Sequence, residues 1–284
     1  MRINTNIASL KAQEAASNTN NSLRNSLEKL SSGLRINKAS DDASGLAIAD
    51  KLRTQASSIG QSISNGNSAV ALAQIADKAM AEQSNILDIV KTKLIQASTA
   101  TTSDDGREAI AKDVNKLLDQ LNNIADQTNY NGTTLLQGAA GASADGLTFQ
   151  MGQNSGDTIT TSSGVRSNTD GLTLSGLKSA ANAGSATDFN ATTAQGFLDD
   201  IDTALNTLNG WRADFGSTQN QLESAVRNQM TQQTNIKAAE SVIRDVDYAQ
   251  ESANFNKQNI IAQAGTYAMS QANAMQQNVT RLLQ

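Results

Sequence analysis

The chain has 284 residues with 22 basic and 27 acidic side chains, and it contains no proline, cysteine or histidine. The missing cysteine and histidine exclude disulfides, zinc fingers, thiol nucleophiles and a Ser-His-Asp triad. A net charge of −5 argues against nucleic-acid binding, and no apolar run approaches the roughly 18 residues of a membrane span. We therefore expect no catalytic residue, no metal site, no cofactor and no membrane insertion.

The N-terminal segment has the spacing of a narrow amphipathic helix. An interior proline costs a helix about 3 kcal/mol, so a chain without proline favours long helices. Apolar residues spaced by four and three predict a helix with a coiled-coil stripe over the first 34 residues. The stripe consists of Ile3, Ile7, Leu10, Leu23, Leu27, Leu30 and Leu34.

The C-terminal segment carries a second stripe of the same kind. Its members are Ile261, Ala268, Met275, Val279 and Leu282. Neither terminal helix can bury such a face alone, so each needs a partner. We expect the termini to pair with each other and with copies of the chain. Head-to-tail copies that do not close into a ring form a helical filament. Taken alone, however, the stripes fit an ordinary intramolecular core better than assembly.

Helical patterns also flank the middle of the chain. Heptad spacing predicts a long helix over about 44–100, with Asp41 and Asp42 near its start, where a cap and negative charge are favourable. A further helix ends near residue 128, before an Asn-Gly turn signal. A heptad pattern typical of a helix resumes at about residue 194 and is interrupted at residues 244–247.

In the middle of the chain, apolar residues recur with the two-residue period of a β-strand. Alternating residues at 147–151 and a β-branched run at 158–161 predict a β-hairpin. Residues 162–193 are rich in Gly, Ser, Thr and Ala, and we expect them to be exposed and loosely structured. The predicted fold is mainly α: a long antiparallel helical bundle or coiled coil formed by the N- and C-terminal segments, with a small β-hairpin region in the middle.

Several motifs resemble those of bacterial flagellins, in order and over roughly residues 1–160 and 195–284. They are MRINTN at 1–6, LSSGLRIN at 30–37, ASDDASGLAIA at 39–49, NG at 131–132 and SQAN at 270–273. The chain resembles short flagellins that have only the D0 and D1 layers, and in part Campylobacter-type flagellins. Two differences from many relatives are Gln276 in place of proline and a less apolar C-terminal end.

The resemblance implies a structural subunit, not an enzyme, that polymerises through its terminal helices into the filament used for swimming. It also implies type III export without a cleaved signal, to the outside of the cell. The implied partners are copies of the chain, an export chaperone that masks the C-terminal helix, and the filament cap and hook-junction proteins. The implied domains are a D0 helix with its spoke at 1–43, D1 at 44–165, a variable exposed segment at 166–193, a D1 helix at 194–250 and a D0 helix at 251–284.

The resemblance also implies weak or no activation of the innate Toll-like flagellin receptor. Relatives that this receptor detects carry an arginine at the position of Ile89 and a leucine at that of Lys93, whereas Asp113 keeps its acidic character. Without this arginine and this leucine, the chain lacks two side chains that would contribute strongly to the free energy of receptor binding. Exposed hydroxyls in the middle segment of flagellins are sites of O-glycosylation, and the candidates in this chain are Ser162, Ser163 and Thr169.

Three alternatives remain open at this point. A hook–filament junction adaptor of the same superfamily shares the terminal helices but acts in few copies. An enzyme carried in the middle segment, as in rare protease-bearing flagellins, conflicts with the absent histidine and the short insert. A coiled-coil secreted effector or adhesin would bind a host surface without forming tubes.

Overall fold

The computed structural model describes residues 6–137, 146–183 and 189–282, and these form long helices with two small antiparallel strand pairs. The elements in chain order are α1 (Ile7–Ser32), α2 (Ala43–Ser98), α3 (Asp104–Gln127), β1 (Asn129–Tyr130), β2 (Thr133–Thr134), β3 (Thr148–Gln150), β4 (Thr158–Thr160), α4 (Ser175–Ala183), α5 (Ala191–Arg244) and α6 (Tyr248–Leu282). The prediction of a mainly α fold is confirmed.

The chain divides into two compact units, and their boundaries lie inside helices. The terminal unit comprises Met1–Ala56 and Thr234–Gln284, and the middle unit comprises Ser57–Gln233. The resemblance implied boundaries at 43 and 250. Because α2 and α5 run without interruption across the boundaries of the two units, the terminal unit also includes the first turns of α2 and the last turns of α5.

Helix boundaries in the terminal unit follow local capping rules. Gly33 adopts φ 74° after α1, and its N–H donates to the Lys29 carbonyl at 2.9 Å, a left-handed C-cap. Asp42 Oδ1 accepts the Gly45 N–H at 2.8 Å at the start of α2. Asp247 Oδ1 accepts the Ala249 N–H at 2.9 Å at the start of α6. The predicted helix break at 244–247 is therefore confirmed as a junction between helices.

In the terminal unit, α1 and α6 pack along each other in antiparallel directions. Asn6 Nδ2 donates to the Ala272 carbonyl at 3.1 Å, and Ser26 Oγ donates to Gln258 Oε1 at 3.4 Å. Residue numbers thus rise along one helix as they fall along the other. Beyond the end of α1, Leu34 and Asp245 form an isolated antiparallel bridge.

The core of the middle unit is formed by α2, α3, α4 and α5 with the chain that follows β2. Its fully buried leucines include Leu87, Leu94, Leu118, Leu121, Leu177 and Leu208. The heptad pattern of α5 is confirmed, because Ile201, Phe215 and Leu222 are each at most 2% exposed. Ion pairs join α2 to α5, including Arg212 Nε to Asp77 Oδ1 at 3.0 Å.

Both strand pairs are hairpins, and the larger is the one predicted from the alternating residues. Phe149 of β3 pairs with Ile159 of β4. The smaller pair, β1 and β2, is joined by Asn131 at φ 50° and Gly132 at φ 81°. Two successive positive φ values are the geometry of a type I′ turn, which an Asn-Gly pair favours.

The expectation that 166–193 is exposed and loose is wrong for its described part. Ser167, Leu174 and Leu177 are completely buried, and α4 packs against α3. The short apolar pieces are spaced too irregularly to indicate a helix or a strand, yet they converge on the core of the middle unit. Burial follows from this convergence, which local composition does not reveal.

Candidate assembly surface

The face that α1 presents to α6 consists mainly of small and polar residues. The less exposed positions of α1 recur at spacings of three and four: Ser9, Ala12, Ala16, Thr19, Leu23, Ser26 and Leu30. The matching positions of α6 are Glu251, Phe255, Gln258, Ala262, Gly265, Met269 and Ala272. We call these two sets the pairing face. Small side chains dominate it, so pairing within the chain leaves most of the large apolar side chains uncovered.

The predicted N-terminal stripe divides between two faces of α1. Leu23, Leu30 and Leu34 are half-buried within the chain. By contrast, Ile7 and Leu10 are 54% and 56% exposed. Leu10 and Leu23 are separated by 13 positions, which places their side chains about 140° apart around a helix, so the stripe changes face between them. Ile3 lies outside the described residues.

The C-terminal stripe lies beside the pairing face and points away from α1. Ile261 is 45% exposed and Met275 is 61% exposed, and Ala268 is exposed as well. Val279 and Leu282 belong to the last turns of α6, whose side chains lie outside the described part. The structure adds two residues to this outward surface that the heptad pattern missed, because Ile260 is 67% and Tyr267 75% exposed.

We define the outward surface as the exposed large apolar side chains of α1 and of the part of α6 that begins at Ile260. Its described members are Ile7, Leu10, Leu27, Ile260, Ile261, Tyr267 and Met275. Large apolar side chains that recur along one pair of helices, as these do, mark a surface that buries against another molecule. Lys257 is the one charged residue of α6 between Glu251 and the end of its described side chains.

An open groove contains Leu27, at the end of α1. It is lined by Arg24, Leu27, Glu28, Ser31, Ser32 and Asn37. Leu27 is 55% exposed in this groove and supplies its apolar floor. The groove therefore places an uncovered leucine among polar side chains that can orient a partner.

The loop between α1 and α2 is held by charged side chains. Asp41 Oδ2 accepts the N–H groups of Asn37 and Lys38, each at 3.1 Å. Desolvation raises the pKa of the Asp41 carboxyl, but these two bonds and the charges of Lys38 and Lys29 together hold it below its ordinary value. Lys38 Nζ also donates to Glu28 Oε2 at 2.8 Å, which raises the pKa of the Lys38 ammonium.

This loop also contacts the end of α5. The Arg35 N–H donates to the Arg244 carbonyl at 2.6 Å, and the Val246 N–H donates to the Gly33 carbonyl at 3.0 Å. Arg35 Nη2 donates to the Ile243 carbonyl at 2.5 Å. The connection between the terminal helices and the rest of the terminal unit thus includes two backbone hydrogen bonds and one donated by the Arg35 side chain.

The three residues of the predicted receptor region lie on α2 and α3. Lys93 Nζ binds Asp113 Oδ2 at 3.1 Å, an ion pair between the two helices. Ile89 lies one turn before Lys93 and is 47% exposed. The structure therefore brings Lys93 and Asp113 into contact and places an apolar side chain beside them.

The three predicted glycosylation candidates differ in accessibility. Ser163 is exposed, and Ser162 is half-buried with its hydroxyl donating to Asp214 Oδ2 at 2.9 Å. Thr169 is only 4% exposed, and its N–H donates to Asn122 Oδ1 at 2.8 Å. Thr169 is therefore not a glycosylation candidate in the folded chain, because a glycan needs an accessible hydroxyl.

The described residues contain neither a candidate membrane span nor a candidate metal cluster. Across residues 6–137, 146–183 and 189–282, no helix combines the length and apolar character that a membrane crossing requires. Within the same residues, His, Cys, Asp and Glu side chains form no group of three that could hold a metal ion.

Comparison with known proteins gives consistent matches at both ends of the chain. The bacterial flagellin N-terminal helical region matches residues 3–140, and the bacterial flagellin C-terminal helical region matches residues 198–283. Flagellin from Bacillus subtilis (strain 168) is 37% identical over 307 residues, covering 100% of both chains. Flagellin B from Helicobacter pylori (strain J99 / ATCC 700824) is 48% identical over 166 residues, which are 58% of this chain and 32% of that protein.

A solved structure supports the fold. A protein from Vibrio parahaemolyticus described as flagellar hook-associated has a TM-score of 0.61 and 13% identity, over 72% of this chain and 99% of that chain. At this identity the likeness concerns the fold alone. Sequence relatives that span the whole length include proteins called flagellin.

Proposed function

The chain belongs to the bacterial flagellin family, and we propose that copies of it polymerise into the flagellar filament through the outward surface of α1 and α6. Flagellins are structural proteins of motility, so this chain is not an enzyme. The observation that carries the proposal is how small and large apolar residues are distributed over the two helices of the terminal unit. Mainly small residues pair α1 with α6, whereas most of the large apolar residues remain uncovered.

Burial of the outward surface supplies the driving force for assembly. Fully burying a leucine or isoleucine side chain contributes about 1.5–3 kcal/mol. Ile7, Leu10, Leu27 and Ile261 are each roughly half exposed, so each retains about half of that contribution for a contact with another copy. Repeated head-to-tail contacts of this kind extend without limit when the rotation between copies does not close a ring.

The composition of α6 supports packing against copies of the same helix. A surface with few charges avoids the like-charge repulsion that identical neighbours would otherwise impose. Glu251 lies on the pairing face, and Lys257 is the one other charged residue before the last turns. We infer that the C-terminal helix is the least charged part of the contact between subunits.

The test is seeded polymerisation of the purified chain, observed by negative-stain electron microscopy. Long uniform filaments are expected. Monomers that never extend the seeds would contradict the proposal and favour a junction adaptor. The adaptor alternative is not favoured, since the full-length relatives include flagellins and the hook-associated protein has only 13% identity to this chain.

We infer that the same surface determines the partners met before assembly. An export chaperone in the cytoplasm would cover the apolar side of α6 and prevent early polymerisation, after which the chain leaves the cell. The cap and hook-junction proteins would contact the surface at the filament ends. The expected result is that Ile261→Asp weakens copurification of the chaperone, whereas the exposed polar change Asn25→Asp leaves it unchanged.

We propose that this chain activates the innate Toll-like receptor weakly. Ile89 offers no charge, and the Lys93 ammonium is paired with Asp113, so neither an arginine nor a leucine anchor is present. Introducing Ile89→Arg and Lys93→Leu together should raise reporter activation by purified monomer. Activation by the unchanged monomer as strong as that of a recognised flagellin would contradict this proposal.

We propose that any O-glycan in the middle unit is attached at Ser162 or Ser163. Both lie in the chain after β4, and Ser163 has the more accessible hydroxyl. Intact mass and peptide mapping of protein from its native host test the assignment. A mass equal to the unmodified chain would show that neither serine is modified in that material.

A further inference from the structure

The methionines of the described chain fall into protected and accessible groups. Met80 and Met151 are buried in the two cores of the middle unit, at 0% and 5% exposure. Met269 is half-buried on the pairing face. Met230 and Met275 are 53% and 61% exposed. Met275 alone among these belongs to the outward surface defined above.

We propose that Met275 is a redox modification site, at which oxidation to the sulfoxide blocks polymerisation. The proposal rests on the proposed function, since it assigns Met275 to the contact between copies. The oxidant is a peroxide. The thioether sulfur attacks one peroxide oxygen, the O–O bond breaks and an S–O bond forms. The sulfur is oxidised by two electrons, and the departing hydroxide takes the proton of the new S–OH group, which leaves the sulfoxide and water.

The surroundings of Met275 leave the sulfur open to this reaction. The preceding turn of α6 offers Gln271 and Ala272, of which one is an exposed polar side chain and the other is small. In contrast, Met80 is completely buried among apolar residues in the larger core of the middle unit. Oxidation follows access to the sulfur, so a mild peroxide treatment separates Met275 and Met230 from Met80 and Met151.

The methionine sulfoxide is too polar for an apolar contact between copies. A sulfoxide converts a flexible apolar side chain into a polar one with a strong hydrogen-bond acceptor. Met275 shares its side of α6 with Ile261 and Ala268, which offer no donor to that oxygen, and with the exposed Gln271 one turn before. Burying the polar oxygen against another copy removes it from water and should raise the critical concentration for polymerisation about tenfold or more.

The experiment treats purified full-length monomer with hydrogen peroxide, maps sulfoxides by peptide mass spectrometry, and measures seeded polymerisation. Met275→Leu keeps the side-chain volume nearly unchanged and cannot be oxidised. Met230→Leu and Met269→Leu are the matched controls. We expect oxidised wild type and both controls to lose polymerisation, and oxidised Met275→Leu to keep it. Normal polymerisation of wild type oxidised at Met275, or failure of oxidised Met275→Leu, would overturn the proposal.

Two further arms distinguish this proposal from the proposed function. If untreated wild type never extends the seeds, the assembly proposal fails, whatever the methionines do. If untreated chain assembles and oxidised chain does not, methionine sulfoxide reductases acting on both epimers should restore assembly. Complete reduction of Met275 without recovered assembly would refute the role of this residue and leave the assembly proposal intact.

Discussion

Leu27 provides the sharpest test of the outward surface, because its change affects assembly far more than the folded monomer. Its side chain is 55% exposed at the floor of the groove beside the loop after α1. Full burial of a leucine contributes about 1.5–3 kcal/mol, so the uncovered half retains roughly 1–1.5 kcal/mol per subunit. Each 1.4 kcal/mol corresponds to about tenfold in an equilibrium constant.

Two substitutions at this position give graded outcomes. Leu27→Ala should raise the critical concentration about fivefold to tenfold. Leu27→Asp also requires a carboxylate to lose its water, so no filaments should form at concentrations where the wild type polymerises. The middle unit should remain helical in both variants, because Leu27 belongs to the other unit.

The assay is sedimentation of seeded samples over a concentration series, with circular dichroism of each monomer. Asn25→Asp is the matched control, since it places the same charge on the same helix at an exposed polar position. Its critical concentration should change less than about threefold. Normal filaments from Leu27→Asp, or equal losses from Leu27→Asp and Asn25→Asp, would refute the assignment of Leu27 to the contact.

Further predictions concern stability and pH. A Cβ on Gly171 would lie 2.0 Å from the Arg166 carbonyl oxygen, so Gly171→Ala should destabilise the middle unit by about 1–3 kcal/mol in thermal unfolding. Leu118→Ala should cost about 2–5 kcal/mol in the same measurement, because Leu118 is completely buried. Gly265→Ala should stabilise α6 by up to about 1 kcal/mol, since no atom lies within 4 Å of the new Cβ, and its helicity by circular dichroism should rise. The lowered pKa of Asp41 contributes stability above the ordinary carboxyl value of 3.8, and this contribution is lost as pH falls through the folded-state pKa. Asp41→Asn should remove that part of the pH dependence in acid titration of unfolding.

Several outcomes would contradict these predictions. An unchanged melting temperature in Gly171→Ala would mean that the backbone near Arg166 adjusts freely. Full stability of Leu118→Ala would contradict the assigned core. Lower helicity in Gly265→Ala would show that the new Cβ meets a neighbour within the chain, and an identical acid transition in Asp41→Asn would show that the Asp41 hydrogen bonds do not contribute to stability.

Much of the fold follows from local patterns in the sequence. The absence of proline and the spacing of apolar residues predicted the long helices, since both express the 3.6-residue period and its compatibility with the backbone. Asn131 and Gly132 predicted a tight turn because both residues tolerate positive φ. The family motifs are also local, so the flagellin assignment needed no structure.

The partner of each helix face was decided by tertiary structure alone. An apolar stripe shows that a face needs covering, but it does not show what covers it. Ile7 and Leu23 both belong to the predicted N-terminal stripe, yet they lie on different faces of α1. With 3.6 residues per turn, positions that are irregularly spaced along the chain do not stay on one face of the helix. Pairing between α1 and α6 depends on residues such as Ala16 and Ala262, whose small size matters only when a second backbone is close.

Burial of the middle segment was likewise a property of the whole unit. Leu174 and Leu177 look like isolated apolar residues in a polar, glycine-rich stretch, and local composition predicted exposure. Their burial comes from residues far away in sequence that converge on the same core. The sequence by itself therefore determined the long helices, their breaks, the larger hairpin and the family. Tertiary structure decided which apolar side chains are buried inside the chain and which remain exposed, because burial depends on neighbours that are distant along the chain.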